Sequence, residues 1–108
     1  MLSEKVKYFT QNYLKGESIK HFKGNFVISF ESGKKALIDN KVVDFLVKKS
    51  DVECFLFVLK VISKAQDIII EIKGEDVSIE TDKGIVIVEK DKFLEFLQDS
   101  QSWLREVV

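Results

Sequence analysis

Few residues in this chain are of types that do chemistry, and none of them falls at a catalytic spacing. His21 is the only histidine and Cys54 the only cysteine. One chain therefore supplies neither a multi-histidine nor a multi-cysteine metal site. A Ser-His-Asp triad would have to take its base from a stretch flanked by Lys20 and Lys23 that carries no supporting motif. The segment Glu31-Ser32-Gly33-Lys34-Lys35 contains a Gly-Lys pair, but a phosphate-binding loop needs glycine five residues before Gly33 and Ser or Thr after Lys34. Those positions hold Ile28 and Lys35. The carboxylates Glu75, Asp76 and Asp82 fall in expected turns, and Glu71 and Glu80 on one strand face, where they read as a solvated surface. The expectation is a protein with no catalytic, cofactor-binding or metal-binding residues, and not an enzyme.

Composition narrows the class. The 108 residues form one domain, residues 1–108, long enough to bury about two thirds of the surface its unfolded chain exposes. With 45% hydrophobic and 32% charged residues, the chain has the makings of a core and is not a disordered tail. No apolar run approaches the roughly 20 residues of a membrane span. The start, MLSEKVKYF, lacks the apolar segment of a signal peptide. A cytoplasmic protein is expected, and a lone Cys54, read as a small buried hydrophobe, agrees with a reducing compartment. The absence of proline and the wealth of Lys, Glu, Ile and Val suit a thermophilic or AT-rich source. Net charge is −1, yet residues 1–50 carry ten lysines against five acids, while residues 51–108 carry seven basic residues against thirteen acids. The halves are oppositely charged, which either cancels within the fold or leaves a basic and an acidic end.

The most legible stretch is Asp67 to Lys90. Ile68, Ile70 and Ile72 alternate with Ile69, Glu71 and Lys73, and a second alternation runs Val77, Ile79, Thr81. Gly74-Glu75 suits a two-residue turn, setting Ile72 opposite Val77 and Ile70 opposite Ile79. Thr81-Asp82-Lys83-Gly84 suits a turn with Gly84 left-handed, setting Ile79 opposite Ile87. Upstream, Asn25 to Glu31 and Lys34 to Asp39 flank Ser32-Gly33 as a first hairpin, with Ile28 facing Leu37 or Ala36 according to loop length. Glu17 to Lys23 reads as an edge strand or a loop.

Helical spacing appears in four places. Ser3 caps a segment with Leu2, Val6, Phe9 and Tyr13, ending near Gly16. Asp39 or Asn40 caps Lys41 to Lys49, and a capping box at Ser50-Asp51-Val52-Glu53 starts or kinks the next stretch. Val52 to Ala65 is apolar around most of its circumference, with helix favoured over a buried strand. Asp91 caps a final helix with an apolar stripe of Phe93, Leu94, Phe96, Leu97, Trp103 and Leu104, interrupted by the polar run QDSQS. Asn40 to Leu46 (NKVVDFL) and Asp91 to Leu97 (DKFLEFL) echo each other in kind at every position, each following a hairpin.

The expected architecture is α+β, a central antiparallel sheet of about five strands with helices on both faces, in the order α-β-β-α-β-β-β-α. That order, with GNFVIS, the Ser32-Gly33 turn, KALID, the helical stretch Asn40 to Ala65 and IIIEIKGEDVSIETDKGIVIVEKD, resembles the roadblock family of dynein light chains and bacterial and archaeal regulators of small GTPases. The resemblance implies a homodimer formed through the central helix and an adjoining strand, with Leu56, Phe57, Lys60 and Lys64 at the contact. It also implies a protein partner, a small GTPase. Similar orders occur in secretion-chaperone-like folds, which bind an unfolded client. A third reading, nucleic-acid binding through Lys20, Lys23, Lys34 and Lys35 beside Phe22 and Phe26, has a pI of about 5.9 and a single arginine against it. No membrane partner is expected.

Overall fold

The computed structural model describes residues 18–49, 55, 59, 61–62 and 66–98. Six strands lie in sequence order across one sheet: β1 (Ser18–Phe22), β2 (Asn25–Ser29), β3 (Lys35–Asp39), β4 (Ile68–Lys73), β5 (Asp76–Thr81) and β6 (Gly84–Glu89). Helix α1 (Asn40–Lys49) follows β3 and helix α2 (Lys90–Gln98) follows β6. Phe55, Leu59, Val61 and Ile62 also have helical backbone, which settles helix over strand at those positions. The helix expected near Ser3 lies outside the described residues.

The α+β class holds, with two corrections to the expected sheet. Ser18–Phe22 is a strand, so the sheet has six strands rather than about five, and it is mixed rather than antiparallel. Four of its pairings are antiparallel; β3 and β4 run parallel, with Ala36 beside Ile68, Leu37 beside Ile69 and Ile38 beside Ile70. The intervening crossover returns the chain to the end from which β3 started, and a strand begun there can only run the same way.

Turn chemistry sets the registers. Lys23 and Gly24 both have positive φ, 50° and 77°, the pair a tight two-residue hairpin turn requires. The β2–β3 loop is three residues long, closed by Gly33 N–H to Phe30 O and Phe30 N–H to Lys34 O, both 2.9 Å, so Ile28 faces Ala36. Gly74-Glu75 gives the expected pairs, Ile72 with Val77 and Ile70 with Ile79. At the last turn only Asp82 and Lys83 are unpaired, and Ile79 faces Val86, not Ile87. That one-residue difference reverses the faces of β6.

One face of the sheet is the core. Phe26, Ile28, Ala36, Ile38, Ile68, Ile70, Val77 and Ile79 are buried there with Val42, Val43 and Leu46 of α1, Phe55, Leu59, Ile62 and Phe93 of α2. The rings of Phe55 and Phe93 meet edge to face at 6.3 Å. Both described helices thus cover the same face. The opposite face carries Val27, Leu37 and Ile69, all half-buried, beside Glu71, Glu80 and the buried Ser78.

The molecule repeats itself. Residues 18–49 and 68–98 each run as three antiparallel strands and a helix entered without a linker. In both, the first helical N–H bonds the carbonyl of the second residue in the first hairpin turn: Asn40 to Gly24 at 2.9 Å and Lys90 to Glu75 at 2.8 Å. The sequence echo lies one residue out of register with this structural match, which sets Asn40 against Lys90 and Val43 against Phe93, both of the latter buried. α2 starts at Lys90, so Asp91 lies inside its first turn, where a carboxylate favours the positive end of the helix.

Asp39 joins the halves. Its Oδ1 accepts the Lys41 N–H at 3.0 Å, capping α1, and its Oδ2 accepts the Ile72 N–H at 3.3 Å on β4. Asp39→Ala is expected to destabilise the fold by about 1 to 3 kcal/mol in urea titration, and Asp39→Asn by less, since its amide retains one acceptor oxygen.

Candidate interaction surfaces

α1 and α2 start at the same end of the sheet, above the β4–β5 turn, and between them runs an open groove of about 680 Å³. Its floor is apolar: Phe45 from α1, Ile72 from β4 and Leu94 from α2. Lys41, Lys48 and Lys49 enter from α1 and Lys90 from α2, against two acids, Asp44 and Asp91. Helical spacing explains the placement. Val42, Val43 and Leu46 point into the core, which turns Lys41, Asp44 and Lys48 outward along the opposite side of the same helix.

Two contacts order this surface. The Lys90 ammonium lies 5.5 Å from the centre of the Phe45 ring, linking α2 to α1 through a cation–π contact. Lys48 and Asp44 form an ion pair at 3.6 Å, one turn apart, but their side chains are 73% and 52% exposed and the pair adds little to stability. A smaller hollow of about 450 Å³ lies near the β1–β2 turn, lined by Lys23, Asn25, Leu37, Asp39, Lys41 and Glu71 among others.

The second surface is the edge of the sheet. With Val86 and Val88 turned to the core side, Ile85 and Ile87 stand on the opposite face, 60% and 66% exposed. They are the large hydrophobic side chains most open to solvent among the described residues. A three-residue turn would set Ile87 inside; GIVIVE is apolar in either phase, so the turn length alone decides.

The residues singled out from sequence fare differently. Leu56, Phe57, Lys60 and Lys64 lie outside the described residues. Lys20, Lys23, Lys34 and Lys35 do not gather into one patch. Lys23 is in the β1–β2 turn and Lys34 and Lys35 are at the opposite end of β2 and β3, a five-residue strand or about 16 Å away. Lys20 pairs with Val27 at mid-strand. The Lys35 N–H is held by Asp67 Oδ1 at 2.8 Å. Among the described residues no group of three His, Cys, Asp or Glu side chains is placed to hold a metal ion. Nor is any helix among them long and apolar enough to cross a membrane.

No family model, curated protein or solved structure matches this chain. The surfaces themselves carry the functional reading: an apolar floor rimmed by lysines suits an acidic, partly apolar protein segment, and a bare apolar strand edge suits another strand. If the Lys90 to Phe45 contact holds the groove wall, Lys90→Gln should cost about 0.5 to 1 kcal/mol, and that cost should disappear in a Phe45→Leu background when both are measured in one double-mutant cycle.

Proposed function

We propose that this chain is a non-enzymatic protein-interaction module that docks an acidic partner segment in the groove between α1 and α2. The observation that carries the reading is the groove itself, with Phe45, Ile72 and Leu94 on its floor and four lysines against two aspartates around it. Apolar floor and cationic rim together select a protein ligand: the floor gains by burying apolar side chains, and the lysines steer and orient acidic ones. In its fuller form the reading is a homodimeric, roadblock-like regulator of a small GTPase, supported by the sequence resemblance over GNFVIS, KALID and IIIEIKGEDVSIETDKGIVIVEKD. The runner-up is a secretion-chaperone-like protein that receives an unfolded client in the same groove.

The test is capture by the full chain from the source organism's lysate at low and moderate salt. One stoichiometric partner is expected, released as salt rises and lost with Lys41→Glu plus Lys49→Glu, both at exposed positions where charge reversal leaves the fold intact. A GTPase among the bound proteins supports the regulator; a secreted or unfolded client supports the chaperone. Equal capture by the double variant overturns the groove as the docking site. Nucleic-acid binding is disfavoured by the separation of Lys23 from Lys34 and Lys35. It would require RNA or DNA retention at low salt that Lys34→Glu plus Lys35→Glu weakens, and no retention is expected.

A further inference from the structure

The groove leaves the outer side of β6 unused, where no strand pairs among the described residues. β6 is the last strand of the sheet, its pairing with β5 runs without a bulge, and Ile85 to Val88 form four consecutive apolar residues. Such an edge is normally blunted by proline, a bulge or an inward charge. Here it is continuous with two exposed isoleucines.

The direction of its backbone groups follows from the turns. A two-residue turn closes on a hydrogen-bonded pair, so Thr81 and Gly84 form one, and Gly84, Val86 and Val88 direct their N–H and C=O groups toward β5. The Gly74-Glu75 turn gives the same phase independently. It directs Asp76, Ser78 and Glu80 toward β4, leaving Val77, Ile79 and Thr81 for β6. The groups of Ile85, Ile87 and Glu89 therefore point away from the sheet.

We propose that a second copy of this chain closes the edge, β6 pairing antiparallel with its twin about a twofold axis at Val86. The proposal deepens the interaction-module reading by giving its homodimer a surface, and it does not depend on what occupies the groove. An antiparallel ladder requires outward-pointing residues to face outward-pointing residues, which admits only every second register. Centred on Val86, Ile85 faces the partner's Ile87 and Ile87 the partner's Ile85, so four isoleucines form one apolar patch on the outer face. Beyond Ile85 the strand runs into the β5–β6 turn, where Lys83 falls opposite the partner's Glu89, and symmetry makes the match twice. Sliding two residues either way sets Lys83 against the partner's Ile87 or Glu89 against the partner's Ile85. Each slide keeps one isoleucine pair, Ile85 or Ile87 with its twin, and loses the other apolar contacts and the charged match. On the core side, a helix packed over β5 and β6 sits about one strand spacing from the axis. The two copies of α2 then come about 10 Å apart, a normal helix packing distance.

Sedimentation equilibrium of the full chain tests this. The wild type is expected as a dimer at tens of micromolar and Ile87→Lys as a monomer with unchanged circular dichroism, Ile87 being largely exposed. Lys83→Glu or Glu89→Lys alone should each raise the dissociation constant roughly tenfold by creating two like-charge contacts per dimer, and the two together should restore it. Residues 83 and 89 are about 20 Å apart along one strand, so rescue cannot arise within a chain. A wild-type monomer at several hundred micromolar, a dimer indifferent to Ile87→Lys, or a double reversal without rescue each overturns the proposal. None of these results affects capture through Lys41 and Lys49, which tests the groove separately.

Discussion

The fold depends on a parallel join held at both ends by aspartates. Three ladder pairs connect β3 to β4 and make two meanders into one sheet. At one end Asp67 Oδ1 accepts the N–H of Lys35, and at the other Asp39 Oδ2 accepts that of Ile72. A carboxylate accepting a backbone N–H makes a stronger bond than a carbonyl does, which suits the short parallel ladder. Asp39 also caps α1, so the carboxylate that joins the sheet sets the direction of the helix that covers it. The groove inherits its geometry from that choice, since Lys41, Phe45 and Lys48 follow the cap on one helix.

The two halves repeat, but their surfaces do not. Asn25, Val27 and Ser29 on the outer face of the first half correspond to Asp76, Ser78 and Glu80 in the second, while Leu37, half-buried in β3, corresponds to Ile87, exposed in β6. The difference is one of position. β3 lies between β2 and β4, whereas among the described residues β6 is paired with β5 alone. The isoleucines of β6 have the character of an interior strand at the sheet's last described position.

Much of this could be read from the residues alone, and the failures have physical causes. Gly74-Glu75 fixed its register because glycine at the first central position admits few alternatives. Asp82-Lys83-Gly84 allows a two- or a three-residue loop, and GIVIVE is apolar in both phases, so neither turn nor pattern could choose. The three-residue turn with left-handed glycine occurs at Gly33 instead. The parallel join was invisible because strands separated by a crossover choose neighbours in space. For the same reason the lysines that look clustered in sequence are spread along a hairpin, Lys23 at one end, Lys34 and Lys35 at the other and Lys20 at mid-strand. Those that gather, Lys41, Lys48, Lys49 and Lys90, come from helices of different halves.

The single join also shapes how the chain reaches this structure. Every other strand pairing is between neighbours linked by two or a few residues, which search quickly and close on the microsecond scale. Ala36 and Ile68 are 32 residues apart, and their meeting needs a long loop closed before any ladder bond repays it. That pairing therefore carries the largest loop-closure cost among the strand pairings of the sheet. The carboxylates of Asp39 and Asp67 act as its latch.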